Sequence, residues 1–400
     1  MNNPEKRNKI LYTGAFRFPN GDAAASRVYG VGLLFKNSGF QVDFAGWEQS
    51  STEDGFYKYN GHDCYSQSEF RTKELNGVSR LLGFFFRGIK TIRWLWNHRE
   101  YNVVVLYNPP ALFSIGVWLL CRFFRIKVVL DSTEWFSANH LPGGRYGPAA
   151  FENWLRMHVA YKVFDNVICI SSFLVRHYKK RNVVYIPPLL LGRCGIASRP
   201  RIKNRIDFIY AGNAGRKDKL HPFIFALPGL AEGLNKSVVL HIAGLSWTAL
   251  AAIIKSNGKD PESYRPYVEC YGRLNAEEVE GLYGASNFSI LLRENERYAL
   301  AGFPTKAVES WGFGCPVIMN SIGDVADIAT DMKDAVFVDE GNILPSLMKK
   351  IELIANGDAY KQMSVNSRLL AERNFSINAH QSRFDEFLTN LMIFDKNGRQ

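Results

Sequence analysis

The residues best placed for chemistry lie in one stretch, AGFPTKAVESWGFGCPVI, from Ala301 to Ile318. It follows an apolar run, Asn287 to Leu292, that reads as a buried strand. Gly302 and Pro304 make a turn with Phe303 between them, and Pro304 suits a helix start, where a missing N–H is tolerated. Thr305 and Lys306 then fall in the first helical turn, where unpaired backbone donors and the helix dipole favour an anion. Glu309 lies one turn further along the same helix, and Gly314, Cys315 and Pro316 end it before another strand. A strand, an anion-ready helix start and a carboxylate one turn in can hold a nucleotide diphosphate with its ribose.

Three further groups could act with it. After the apolar strand Asp207 to Ala211 comes GNAGRKDKL. Gly212, Asn213 and Gly215 let backbone approach a phosphate, and Arg216, Lys217 and Lys219 supply positive charge. It is not a Walker loop, and a solvated charged turn is the competing reading. Asp131 and Glu134 sit at the carboxyl end of the strand Lys127 to Asp131, where open α/β sheets place ligands. A helix N-cap is the structural alternative for Asp131. His140 lies in the Gly/Pro-rich loop that follows, as a binding residue or a bystander. Gly21 lies in the loop between the strand Lys9 to Ala15 and a helix from about Ala23, which is not GxGxxG and reads equally as a tight turn.

The elements that must position these groups alternate strand and helix, twice over. The 400-residue length calls for two cores. We expect residues 1–187 as one domain, 188–205 as a linker, 206–375 as a second domain, and a final helix in 376–400 packing back on the first. The fold class is α/β, with two Rossmann-like, doubly wound parallel sheets facing a cleft. Ser50 to Ser68 has no clean period and reads as an irregular insertion. Val78 to His98 reads as one helix, rich in Phe and Trp and carrying Arg80, Arg87, Lys90 and Arg93. Such a helix either packs on the sheet or lies on an anionic membrane surface.

Composition narrows the function classes. Hydrophobic content of 46% and charged content of 22% fit a soluble globular chain, and a net charge of +11 implies an anionic partner. None of the six cysteines forms a CxxC pair, which argues against a zinc site or a disulfide frame. The polar, basic start MNNPEKRNK reads as no signal peptide, and Val103 to Phe124 is broken by Asn108, Pro109 and Pro110. The expected location is the cytoplasm, with the inner face of the plasma membrane as a peripheral site. Zinc-finger, helix-turn-helix and RRM patterns are missing, so nucleic acid is not an expected partner.

The order of motifs resembles the GT-B glycosyltransferases, and within them the large retaining family 4 that uses nucleotide sugars. The resemblance covers nearly the whole chain and is strongest from Asp207 to Asp327. It implies that Glu309 contacts the donor ribose, that Arg216, Lys217 and Lys219 compete to hold the diphosphate, and that Arg273 and Leu274 frame the base. It also implies that Gly21 approaches the donor. Two positions depart from the pattern. The first signature glutamate is Ala301 here, so sugar contact must differ or come from Glu294 or Glu296. A histidine often found after the strand ending at Asp131 is missing, and Asp131 or Glu134 could substitute. Some capsule and lipopolysaccharide transferases carry a similar GFPTK form. The resemblance implies transfer of a hexose-type unit with retention to a saccharide on a lipid carrier, docked near Arg80 to Arg99 and His140. It implies no cofactor and no required metal. A nucleotide-sugar-binding protein without transfer, and a sugar-nucleotide epimerase, remain as alternatives.

Overall fold

A computed structural model of the chain describes residues 8–19, 23–50, 52–69, 77–191, 202, 204–212, 217–339, 341–355 and 358–393. Two compact units result: Met1–Leu191 with Ile377–Gln400, and Gly192–Ser376.

The first unit begins with β1 (Lys9–Gly14), α1 (Ala23–Asn37) and β2 (Gln41–Gly46). Then follow β3 (Phe56–Tyr59), β4 (His62–Ser66), α2 (Gly77–Phe85), α3 (Ile89–Asn97), β5 (Val103–Tyr107), α4 (Ala111–Phe123) and β6 (Lys127–Ser132). It continues through α5 (Pro148–His158), β7 (Asn166–Cys169), α6 (Ser172–Tyr178) and β8 (Asn182–Tyr185). The sheet order is β3-β4-β2-β1-β5-β6-β7-β8. All pairs are parallel except β3 with β4. The central strands read as unbroken apolar runs, VVVLY in β5 for example, because helices cover both faces.

Two expectations fail here. Residues 50–68 are not irregular: β3 and β4 form an antiparallel hairpin whose turn is Asn60 and Gly61, both at positive φ. That Asn-Gly pair is the local signal for such a turn, and short half-exposed strands hid the alternation around it. Residues 78–98 are not one helix. Gly88 adopts φ 98° and presses against the ring of Phe113 in α4, where a Cβ would lie 2.3 Å from Phe113 Cδ2. The left-handed residue ends α2 and lets α3 restart at a new angle.

The second unit runs β9 (Arg205–Ala211), α7 (His221–Leu234), β10 (Ser237–Ala243), α8 (Trp247–Ser256), β11 (Val268–Gly272), α9 (Ala276–Ala285) and β12 (Phe288–Leu291). Then come α10 (Arg297–Ala301), α11 (Thr305–Gly312), β13 (Val317–Met319), α12 (Asp324–Ile328), β14 (Ala335–Phe337), α13 (Ile343–Ala355) and α14 (Ala359–Phe375). Its sheet is wholly parallel, in the order β11-β10-β9-β12-β13-β14. Asn275 caps α9 in a full capping box with Glu278, as the spacing predicts. The segment before β10 is α7, which tolerates Pro228 inside it.

The last helix, α15 (Asn378–Ile393), belongs to the first unit. Phe384 meets Phe35 of α1 edge-on at 4.8 Å. Asn182 Nδ2 donates to Phe387 O at 3.1 Å, and Lys127 Nζ donates to Leu391 O at 3.0 Å.

Candidate functional site

In the second unit, β9, the chain after β12 and the start of α11 converge on one carboxylate, Asp218. Its side chain is 4% exposed. Arg293 Nε donates to Oδ1 at 2.8 Å and the Tyr210 hydroxyl donates to Oδ2 at 2.9 Å. Lys306 Nζ donates to the same Oδ2 and to the Tyr210 hydroxyl, the latter at 2.8 Å, and lies 4.3 Å from the Tyr210 ring centroid. Asn320 fixes the backbone of Arg293 from both sides, with its Oδ1 accepting from Arg293 N at 3.0 Å and its Nδ2 donating to Arg293 O at 2.6 Å.

The position of Lys306 follows from how α11 is held. Ser310 Oγ donates to Ser289 Oγ of β12 at 2.6 Å. The fully buried Trp311 donates through Nε1 to Asp334 O at 3.0 Å and stacks on Phe375. Pro304 occupies the N-cap and no side chain caps the first turn. Ala307 N turns back to Pro304 O at 3.1 Å, so the amides of Thr305 and Lys306 are the donors of that turn left to a ligand or to water. Gly212 ends β9 at φ +141°, and a Cβ there would lie 2.6 Å from Lys306 Nζ. Only glycine lets the ammonium lie over the backbone at this point.

Two cations face one carboxylate, so the cluster carries one positive charge in surplus. Burial alone would raise the Asp218 carboxyl, but Arg293 and Lys306 overcome this and hold it at about 2. Burial lowers the pKa of Lys306, and Asp218 restores only part of it, because Asp218 is shared with Arg293, whose like charge pushes back. That sharing explains why both members of the pair move down. The Lys306 and Arg293 side chains keep 20% and 15% exposure, so the surplus charge can still reach a ligand. Glu309 is exposed at its side chain, yet the surrounding protein raises its pKa, with Lys306 opposing. The Glu309 side chain is thus open to a ligand from α11.

The other expected donor residues divide. Gly21, Asn213 and Arg216 lie outside the described residues. Lys217 is exposed, and its carbonyl accepts from the Tyr298 hydroxyl at 3.1 Å. Lys219 Nζ pairs with Glu294 Oε1 at 3.0 Å, so one of the glutamates offered for sugar contact is engaged with a cation. Glu296 is the N-cap residue of α10. Arg273 is exposed just past β11, while Leu274 packs with Tyr283 and Phe313. Phe303 is 6% exposed and packs edge-on against Phe375 at 5.6 Å, so this part of the turn can offer a ligand only backbone. Gly302 and Thr305 are half-buried beside it. Ala301 is fully buried. Asp218, Arg293 and Tyr210 were not singled out from sequence. The available signals were weak: an acid between two lysines, and an arginine just past an apolar strand.

In the first unit, Asp131 ends in a sealed network. It is 0% exposed. Arg27 NH2 donates to Oδ1 at 2.8 Å, Arg27 Nε to Oδ2 at 3.2 Å, and the Tyr12 hydroxyl to Oδ2 at 2.6 Å. Arg27 NH1 continues to the carbonyls of Ile186 and Pro187, the second at 3.0 Å. Asp131 is therefore a buried structural anion, not a helix cap and not a group open to substrate. Glu134 is half-buried, and Asn108 Nδ2 donates to it at 3.4 Å. His140 is half-buried in a short turn, Ala138–His140. Arg87 turns inward, its Nε donating to Phe84 O at 2.9 Å, while burial lowers its pKa. Lys90 and Arg93 are exposed, and the Arg80 side chain lies outside the described residues. Among the described residues, no group of three or more His, Cys, Asp or Glu could hold a metal ion.

Residues 196–369 match the family model for glycosyl transferases group 1. A comparison with curated proteins found no match. Sucrose-phosphate synthase from Thermosynechococcus elongatus is similar in structure, with 14% identity, a TM-score of 0.73, and coverage of 96% of this chain and 99% of that one. Anabaena HepE in complex with UDP-glucose shares 11% identity at a TM-score of 0.65, covering 96% and 99%. The lipopolysaccharide outer core galactosyltransferase WaaB shares 14% identity at 0.60, again over 96% and 99%. The chain thus has the fold of the GT-B glycosyltransferases over nearly its whole length, and within it residues 196–369 are similar to the glycosyl transferases group 1.

Proposed function

We propose that the protein transfers a hexose-type sugar, with retention, from a nucleotide-sugar donor to a saccharide carried on a lipid, in the synthesis of a bacterial-type surface polysaccharide. The observation that carries this reading is the surplus charge of the Asp218 cluster, presented by Lys306 beside Gly212 at the uncapped start of α11. A diphosphate docked there meets an ammonium together with the amides of Thr305 and Lys306. Glu309, one turn further, is placed for the hydroxyls of the ribose. As the glycosidic C–O bond breaks, negative charge grows on the diphosphate, and fixed donors stabilise it without reorganising. The acceptor hydroxyl forms the new C–O bond on the same face, and its proton passes to the departing diphosphate.

In this reading Lys306 of α11, with Lys217 of the loop after β9, takes the place first given to the basic loop alone. Asp131 has a structural task, and Glu134 remains the acidic candidate of the first unit. No cofactor is required, and fixed cations do what a divalent ion does elsewhere. A UDP-sugar is the first donor to try, because HepE is described in complex with UDP-glucose. The test is a thermal-shift and calorimetric screen of UDP-, GDP- and ADP-sugars, followed by assay of sugar transfer to lipid-linked saccharide with and without a chelator. Binding of one donor class and transfer that survives chelation support the proposal. Donor binding without release or transfer of sugar under any acceptor would leave a nucleotide-sugar-binding protein instead.

A further inference from the structure

Helix α4, ALFSIGVWLLCRF, is apolar all round, yet it is not buried all round. Its inner side packs through Phe113, Val117, Leu120 and Cys121. Its outer side leaves Leu112, Leu119 and Phe123 at 39%, 55% and 73% exposure. These positions, seven and four residues apart, form one stripe. Helix α3 lies alongside in matching direction: Gly88 sits on Phe113, Ile92 reaches Gly116, and Trp96 stacks on Phe123 at 6.4 Å. Its own outer stripe is Ile89 and Trp96, at 54% and 48% exposure, with Arg93 between them. An outer surface of this kind is normally polar.

The charges around the two stripes indicate what covers them. From Gly77 to Arg125 the sequence holds seven Lys or Arg and one acid, Glu100. That acid faces Lys9 at 3.7 Å. Neither α3 nor α4 contains Asp or Glu. The arginines lie over aromatic rings at the edge of the patch, Arg99 4.2 Å from the Phe124 ring and Arg122 5.7 Å from the Trp118 ring. Their apolar stems thus extend the patch while their charges stay at its rim. A second copy of the chain would bring like charge against like charge. A surface of anionic lipid headgroups over acyl chains matches both features. At 13 residues α4 is about 20 Å long, too short to span a bilayer core of about 30 Å, and its inner side is committed to the sheet. No helix among the described residues is long and apolar enough to cross a membrane.

We propose that the paired outer stripes of α3 and α4 dock the protein on an anionic membrane, with Leu119, Phe123 and Trp96 dipping into the headgroup–acyl boundary and Arg93, Arg99 and Arg122 contacting lipid phosphates. This assigns the surface to α3 and α4 in place of a single basic helix, and it stands independently of the donor site. The test is sedimentation of the full chain with phosphatidylcholine vesicles, with and without phosphatidylglycerol. Binding to the anionic vesicles is expected to be at least about tenfold tighter and to weaken with salt. The double variant Leu119→Ser/Phe123→Ser and the charge reversal Arg99→Glu/Arg122→Glu each reduce it by about tenfold or more. Both substitute exposed residues, and an unchanged melting temperature and unchanged UDP affinity show that folding and the donor site are intact. Equal sedimentation of wild type and both variants overturns the proposal. So does a wild-type dimer that the serine variant dissociates, since a second copy would then cover the face.

Discussion

The two units each place an aspartate among an arginine and a tyrosine hydroxyl, and the two clusters differ in charge balance and in access to solvent. Asp131 and Arg27 balance one charge against one, at 0% and 2% side-chain exposure. Every donor direction of Arg27 that the structure shows ends on protein, and burial is offset by Asp131, which raises the Arg27 pKa. Such a pair has nothing left to offer a ligand. Asp218 instead faces two cations, both in contact with solvent. The added lysine comes from α11, the helix whose first turn is uncapped. One extra cation and a fifth of its surface left open are what the proposed anion site has and the sealed pair lacks.

The largest effect should come from breaking the sealed cluster. Asp131→Ala leaves Arg27 charged, buried and unpaired, and is expected to cost about 3–5 kcal/mol in urea unfolding. UDP affinity of the protein that remains folded should not change. A loss below about 1 kcal/mol would show that the two clusters are not different in kind.

Lys306→Met tests the open cluster. It should lower UDP affinity on the order of a hundredfold, about 3 kcal/mol, by calorimetry. Thermal stability should hold, because burial already disfavours the Lys306 ammonium and Asp218 keeps Arg293.

Asp218→Asn should cost less than Asp131→Ala, about 2 kcal/mol at neutral pH, since a carboxyl held at about 2 lies below its ordinary value of 3.8. The sign follows from that depression. The stabilisation is fully present above pH of about 4 and is lost as pH falls towards about 2. The stability gap between wild type and variant should therefore close over that range. A gap independent of pH would mean that the charge of Asp218 contributes nothing.

The smallest expected effect is that of Glu309→Gln, about tenfold in UDP affinity. Its raised pKa gives a direction: wild-type affinity should fall as pH drops and Glu309 protonates, while the variant stays flat over the same range. Parallel pH profiles would remove Glu309 from the ribose.

Much of this was legible in the sequence. Apolar runs separated by turn residues revealed both parallel sheets, and the helix that begins after Pro304 emerged with Lys306 and Glu309 in their expected turns. Local chemistry suffices for such features, because strand burial and helix starts are written in adjacent residues. The partners of Lys306 were hidden for the opposite reason. Tyr210, Asp218 and Arg293 lie 96, 88 and 13 positions away, and only the sheet brings them together. Asp131 misled for the same reason: a strand's carboxyl end suggests a ligand site, and nothing local announces that Arg27, 104 positions earlier, has closed it. The Asn60–Gly61 turn was readable, but the short strands beside it did not alternate cleanly enough to draw attention.

The most direct measurement is an experimental structure with UDP bound. The diphosphate is expected within hydrogen-bonding distance of Lys306 Nζ and of the first-turn amides of α11, with the Glu309 carboxylate on the ribose. A diphosphate lodged elsewhere, with Lys306 still turned only to Asp218 and Tyr210, contradicts the account.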